Sequence, residues 1–163
     1  MKLNAVVIRG VNADEVEDLI EFARRRGIEV RFIELMPNLP GLDGFVSNAE
    51  LLRRLGPRGL RPLGYSPTGP ARLYELGGAR VGFISPISEP FCHRCNRIRL
   101  SATGLLMPCL FSSMALDLRE RLRRGCSDEE LEEMLREAIR GKPRQGSLRE
   151  GRECAPLMPR VGG

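Results

Sequence analysis

The stretch KLNAVVIRGVNADEVEDLIEFARRRGIEVRFIELM, residues 2–36, decides the fold. Lys2–Ile8 alternates and is rich in Val and Ile, the mark of a buried strand. Asn12 stands where a helix N-cap is expected and Glu15 completes the capping-box spacing. Val16, Leu19, Ile20 and Ala23 then form an apolar stripe, and Gly27 supplies the stop, so a helix is predicted over residues 13–26. Glu29–Met36 reads as a second strand. Strand, helix and strand make one unit whose strands should run parallel through a right-handed crossover, which places the chain in the α/β class. A closed or doubly wound sheet needs several such units and only this one is found. The first strand also begins almost at Met1, with nothing ahead of it to cover its edge. The expectation is an incomplete sheet and a missing N-terminal half.

Downstream, Pro37–Gly44 reads as a loop, and Ser47 with Glu50 marks the start of a helix over residues 48–55. Gly56–Pro70 reads as a further loop. Arg72–Leu76 and Arg80–Ser85 flank Gly77-Gly78, and Arg97–Ser101 and Leu105–Met107 flank Thr103-Gly104. These are two predicted hairpins, expected to form one small antiparallel module. Ser127 and Glu130 cap a last helix over residues 128–140, with Leu131, Met134, Leu135 and Ala138 on its buried face. Residues 142–163 are rich in Gly, Pro and Arg and show no periodicity.

The 163 residues are 42% hydrophobic and 29% charged, a composition that folds. Net charge is +5, and of 26 basic residues only Lys2 and Lys142 are lysine. An arginine excess suits phosphate or carboxylate ligands, while codon bias with a solvated surface explains the same number. No apolar run is long enough to span a bilayer and the first ten residues hold no signal-peptide core, so a cytoplasmic protein without a membrane partner is expected.

Five cysteines in a reducing compartment direct attention to metal or cluster ligation. Cys92 and Cys95 are spaced to reach one centre from a single turn, and Cys109 follows after 13 intervening residues and a predicted hairpin. Pro90 and Pro108 stiffen both approaches. Structural zinc takes four closed ligands, and only three cysteines fit the pattern. His93 adjoins Cys92 and should point away as a surface residue, while Cys126 and Cys154 are looser candidates read as plain thiols. Three thiolates on a [4Fe-4S] cluster would leave one iron open to a small molecule. Three unrelated buried thiols are the alternative.

After Cys95 comes Asn96-Arg97-Ile98-Arg99-Leu100, where strand alternation puts Arg97 and Arg99 on one face and Ile98 and Leu100 on the other. Paired guanidinium groups beside the thiols point to a phosphate-bearing ligand, or to a solvated strand face. Glu34 and Met36 share a face with Val30 and Phe32. Glu34 is expected either near solvent at the strand end or, as preferred, inside a polar barrel centre.

PISEPFCHRCNRIRL (86–100), LLMPCLF (105–111), EVRFIELMP (29–37), KLNAVVIRGVN (2–12) and the terminal VGG (161–163) together resemble the C-terminal half of the GTP 3',8-cyclase family, radical-SAM enzymes that begin molybdenum cofactor synthesis. The resemblance spans nearly the whole chain, and C-x2-C-x13-C followed by Asn-Arg-x-Arg is its specific part. It implies the C-terminal part of an incomplete TIM-type barrel in residues 1–45. Residues 46–141 would follow as a small α+β iron–sulfur and GTP-binding module, and 142–163 as a tail. It further implies an auxiliary [4Fe-4S] cluster on Cys92, Cys95 and Cys109, its open iron meeting the purine of GTP. Lys2, Arg97, Ile98 and Arg99 match family positions at GTP and Met36 one at S-adenosylmethionine. Gly162-Gly163 matches a C-terminus that enters the active site and assists catalysis.

In that family a second [4Fe-4S] cluster cleaves S-adenosylmethionine. The resulting radical abstracts the C3' hydrogen of GTP, and attack on C8 gives 3',8-cyclo-7,8-dihydro-GTP. The C-x3-C-x2-C motif for that second cluster is absent here. The chain is therefore expected to be a fragment or one part of a split enzyme, inactive alone and dependent on an N-terminal half, with a homodimer left open. Two rival readings remain: a zinc or iron–sulfur nucleic-acid-binding module, and an auxiliary cluster domain of another radical-SAM enzyme. An aromatic content of 5% without Trp speaks against nucleic acid as a partner.

Overall fold

Parallel neighbours need a crossover connection, and the helix between the first two strands supplies it. In the computed structural model, which describes residues 1–36, 44–110 and 114–143, Lys2–Val7 (β1), Val16–Arg25 (α1) and Glu29–Glu34 (β2) form the predicted unit. β1 and β2 are parallel, with Leu3 opposite Val30, Ala5 opposite Phe32 and Val7 opposite Glu34. α1 starts at Val16 rather than at residue 13 because Asn12 does not cap it. The Asn12 side chain instead accepts the Ile8 amide at 2.8 Å and donates to the Val6 carbonyl at 2.9 Å, closing the turn at the end of β1.

The chain divides into two compact units, Met1–Phe91 and Cys92–Gly163. The first also contains Asn48–Leu55 (α2), Arg61–Tyr65 (β3), Arg72–Leu76 (β4) and Ala79–Ile84 (β5). Its sheet runs in the order β1-β2-β5-β4-β3. β4 and β5 form the predicted hairpin, with Gly77 and Gly78 at φ 54° and 87°, the left-handed pair that a two-residue turn of this hand requires.

That hairpin was expected to sit with the cysteine module, but β5 lies parallel against β2. Val81 and Phe83 stand opposite Val30 and Phe32, and all four are buried in one core, so apolar matching recruits the hairpin to the parallel strands. Arg61–Tyr65, expected as loop, is an edge strand. An edge position and a register shift between Pro62 and Gly64 accommodate the proline.

Helices α1 and α2 cover one face of this sheet through Val16, Ile20, Ala23, Leu51 and Leu55, packed with Val7, Val30, Phe32, Val81 and Phe83. Phe83 lies 5.9 Å from Phe32 and meets Tyr74 edge-on at 5.4 Å. On the opposite face Arg31, 7% exposed, pairs with Glu29 at 2.5 Å and reaches the Ser66 hydroxyl at 3.2 Å.

Glu34 ends β2 on the helix-covered face at 1% exposure, neither near solvent nor in a polar barrel centre. Its parity with Val30 and Phe32 takes it there. One carboxylate oxygen accepts the Asn48 amide at the first residue of α2 at 2.9 Å, and also the Ser88 hydroxyl. The other accepts the amides of Ile87 and Ser88 at 3.1 and 2.9 Å.

The second unit is built on Arg99–Leu100 (β6), Leu105–Met107 (β7) and Leu116–Asp117 (β8), an antiparallel sheet in that order. Leu118–Arg123 (α3) and Asp128–Arg140 (α4) follow. α4 has the predicted span, and Ser127 and Glu130 make both halves of the capping box. Leu131, Met134, Leu135 and Ala138 of α4 pack with Leu106, Leu116 and Leu118.

Replacing Glu34 by Ala strands three backbone amides without an acceptor. The expected loss is about 3–5 kcal/mol, read from the urea midpoint. A loss under about 1 kcal/mol would show that other donors and acceptors carry this junction. In the β4–β5 turn, the Gly78 amide and then Arg61 hold the Glu75 carboxyl below its ordinary range. A depressed carboxylate stabilises the fold above its unfolded value and loses that contribution as pH falls through the folded value. Exchange protection of the Gly78 amide should therefore fall on acidification below the ordinary carboxylate range; protection that is flat with pH contradicts the tether.

Candidate functional site

Two sulfurs three positions apart meet on one side of the chain only if the backbone turns between them. Cys92–Arg94 is a single 3-10 turn, closed by the Cys95 amide on the Cys92 carbonyl at 3.1 Å. Cys92 and Cys95 are half-buried thiols, whereas His93 and Arg94 are exposed, in line with reading His93 as a surface residue. The chain then runs through Asn96, Arg97 and Ile98 into β6.

The β6–β7 hairpin pairs Arg99 with Met107 and Leu100 with Leu106. Ser101 organises its turn by accepting the Leu105 amide on its hydroxyl at 2.9 Å and the Gly104 amide on its carbonyl at 3.0 Å. Gly104 sits at φ 84°, where an added Cβ would meet the Arg119 Cβ at 2.5 Å. Buried Pro108 follows, then Cys109. Cys109 thus follows two residues beyond the last pair of the β6–β7 ladder, Arg99 with Met107. Among the described residues no three His, Cys, Asp or Glu side chains converge closely enough to hold a metal ion. Cys126 is a half-buried thiol in the turn ahead of α4, while Cys154, Gly162 and Gly163 lie outside the described residues.

Arg97 and Arg99 are not on one continuous strand, because β6 begins only at Arg99. Arg97 is exposed and Arg99 half-buried, and the apolar residues alternating with them, Ile98 and Leu100, are 42% and 60% exposed. Many other arginines are engaged with glutamates, among them Arg9 with Glu50, Arg24 with Glu21 and Arg61 with Glu75. Among the described residues, Arg97 and Arg99 are in no such pair.

Sequence reasoning missed Lys142. Its ammonium donates to the carbonyls of Cys95 at 2.8 Å and Arg97 at 2.7 Å and lies 3.4 Å from the Cys95 sulfur. The available signal was compositional, since it is one of two lysines among 26 basic residues.

In the first unit, Lys2 opens β1, donates to the Thr68 hydroxyl at 3.1 Å and borders a cleft of about 380 Å³ shared with Arg24, Glu29 and Arg80. Met36 lies beyond the C-terminal end of β2 and is half-buried. Because β1 and β2 are parallel with Lys2 opposite Glu29, Lys2 and Met36 fall at opposite ends of the paired strands.

A family profile described as Molybdenum Cofactor Synthesis C matches residues 28–148. Relatives named GTP 3',8-cyclase match the chain. The one from Heliobacterium modesticaldum is 46% identical over 175 residues, covering 100% of this chain and 53% of that protein. The one from Alkaliphilus oremlandii is 42% identical over 154 residues, covering 91% and 47%. The one from Nostoc punctiforme is 45% identical over 151 residues, covering 88% and 46%. The chain thus spans about half the length of the relatives it matches. Among the described residues no helix is long and apolar enough to cross a membrane.

Gly104 shapes the turn of the hairpin that precedes Cys109. Gly104→Ala combines left-handed strain with a clash against the Arg119 Cβ and should destabilise the second unit by about 1–3 kcal/mol. Amide exchange at residues 99–107 should rise with it. Unchanged exchange would mean the turn does not hold the hairpin.

Proposed function

The chain belongs to the Molybdenum Cofactor Synthesis C family, and on that footing we propose that it serves molybdenum cofactor synthesis as the C-terminal part of a GTP 3',8-cyclase. The observation that carries this reading is the thiol set. Two cysteines sit at the two ends of one 3-10 turn, and a third follows a hairpin with no room for a side chain at Gly104. The donor set fits an iron–sulfur cluster, since all three groups are soft thiols, no carboxylate is among them, and His93 faces solvent.

Cys92, Cys95 and Cys109 hold an auxiliary [4Fe-4S] cluster. When bound, the cluster offers one iron position to a ligand, here the purine of GTP. Arg97, Arg99 and Lys2 orient GTP, and Ile98 contributes an apolar contact. The absence of ion-pair partners for the two arginines among the described residues supports an anionic ligand between them. Met36 contacts S-adenosylmethionine, and a catalytic part for Gly162-Gly163, which lie outside the described residues, follows from the family resemblance alone.

Residues 1–45 correspond to the last part of a TIM-type barrel. An N-terminal half supplies the remaining strands and the cluster that acts on S-adenosylmethionine, and the assembly works in the cytoplasm on GTP. The position of β1 at an edge of its sheet supports this, because further parallel strands can add there.

Anaerobic reconstitution should load about four iron atoms per chain and protect Cys92, Cys95 and Cys109, but not Cys126, from alkylation. Zinc in place of iron, or equal protection of all four thiols, would sink the reading. Arg97→Ala or Arg99→Ala should each weaken GTP binding by about 1.5–3 kcal/mol in calorimetric titration. Affinity equal to wild type would remove both residues from the site.

A further inference from the structure

An ammonium has three donors in a tetrahedral arrangement, and a buried or half-buried one needs three acceptors to match. Lys142 has three candidates in the carbonyl oxygens of Cys95 and Arg97 and the sulfur of Cys95. All three belong to the short segment that carries one proposed cluster ligand and one proposed GTP contact.

The ammonium is delivered there by packing. α4 is fastened by Leu131, Met134, Leu135 and Ala138 against Leu106 and Leu118, so its C-terminal end is set by the core of the second unit. The Gly141 amide continues the helix onto Glu137 at 2.8 Å, and the Lys142 amide reaches the Ile139 carbonyl at 3.3 Å. Lys142 therefore links the helix that packs on the hairpin to the turn that presents Cys95. Its chemistry also fits the composition. In a chain with 24 arginines, a planar guanidinium occurs almost everywhere a cation is needed, yet here, where acceptors converge on one point, a lysine stands.

We propose that Lys142 is a positioning residue for the cluster site, fixing the Cys95–Arg97 turn through two carbonyls and tuning the cluster through a hydrogen bond to the Cys95 sulfur. This rests on the reading that Cys92, Cys95 and Cys109 hold a [4Fe-4S] cluster. Hydrogen bonds and positive charge at a ligating sulfur stabilise the reduced, more negative cluster, so Lys142 raises the reduction potential.

The test uses the full chain, reconstituted anaerobically with iron and sulfide, as wild type, Lys142→Met, Lys142→Arg and the combined Cys92→Ser, Cys95→Ser and Cys109→Ser change. A wild type that takes up no cluster, or a cluster that survives the combined change, overturns the cluster reading and the role of Lys142 together. With the cluster on those thiols, Lys142→Met should shift the oxidised-to-reduced ratio at fixed potential about tenfold towards the oxidised form, about 59 mV lower for one electron. Lys142→Arg should shift it the same way by less. Midpoints equal to wild type in both variants overturn the proposal and leave the cluster reading standing. If Lys142→Met retains too little cluster for a midpoint, amide exchange at residues 95–99 in the metal-free chains decides. A rise of about tenfold is expected, and unchanged exchange overturns the proposal.

Discussion

A carboxylate withdrawn from water is stable only where fixed donors replace the hydration it has lost. Glu34 meets that condition with three backbone amides and a hydroxyl, drawn from α2 and from the segment after β5. The amides of Ile87 and Ser88 lie 53 and 54 residues from it in sequence, so one side chain joins the end of a parallel strand to the start of a helix and to a distant turn. The apolar core supplies most of the burial, but it is non-directional. The carboxylate determines where α2 begins and where the chain leaves β5, a few residues ahead of the first cysteine.

The second unit is small, and its order comes from matching local devices to a short sheet. The Ser127–Glu130 capping box starts α4, the Ser101 hydroxyl and Gly104 shape the hairpin turn, and Leu106, Leu118 and Ala138 join them. The Lys142 ammonium, brought from the end of α4, then closes on the Cys95–Arg97 segment ahead of the hairpin. The arginine excess divides along the same line. Most of the pairs are on the surface, where each contributes little net stability, whereas among the described residues Arg97 and Arg99 are in no ion pair.

Much of this was legible beforehand because its causes are local. Ser47 and Ser127 cap the helices they were expected to cap, and Gly77-Gly78 makes the turn it was expected to make. The misses have a shared origin in competition between partners. Asn12 had a cap available but found stronger use in the strand-end turn. Pro62 and Gly64 read as loop residues because a sequence cannot show that a strand will lie at an edge. The alternation through Arg97 predicted a strand that the structure starts two residues later, at Arg99.

The sequence by itself determined the strand–helix–strand unit, the hairpin turns and the Ser47 and Ser127 caps, since each depends mainly on residues close together in the chain. Tertiary structure alone decided that the first hairpin joins the parallel sheet, that Glu34 faces the helices, and that Lys142 closes on the Cys95–Arg97 turn. Those outcomes depend on which distant surfaces match in shape and which distant donors meet an acceptor, and no local periodicity records either.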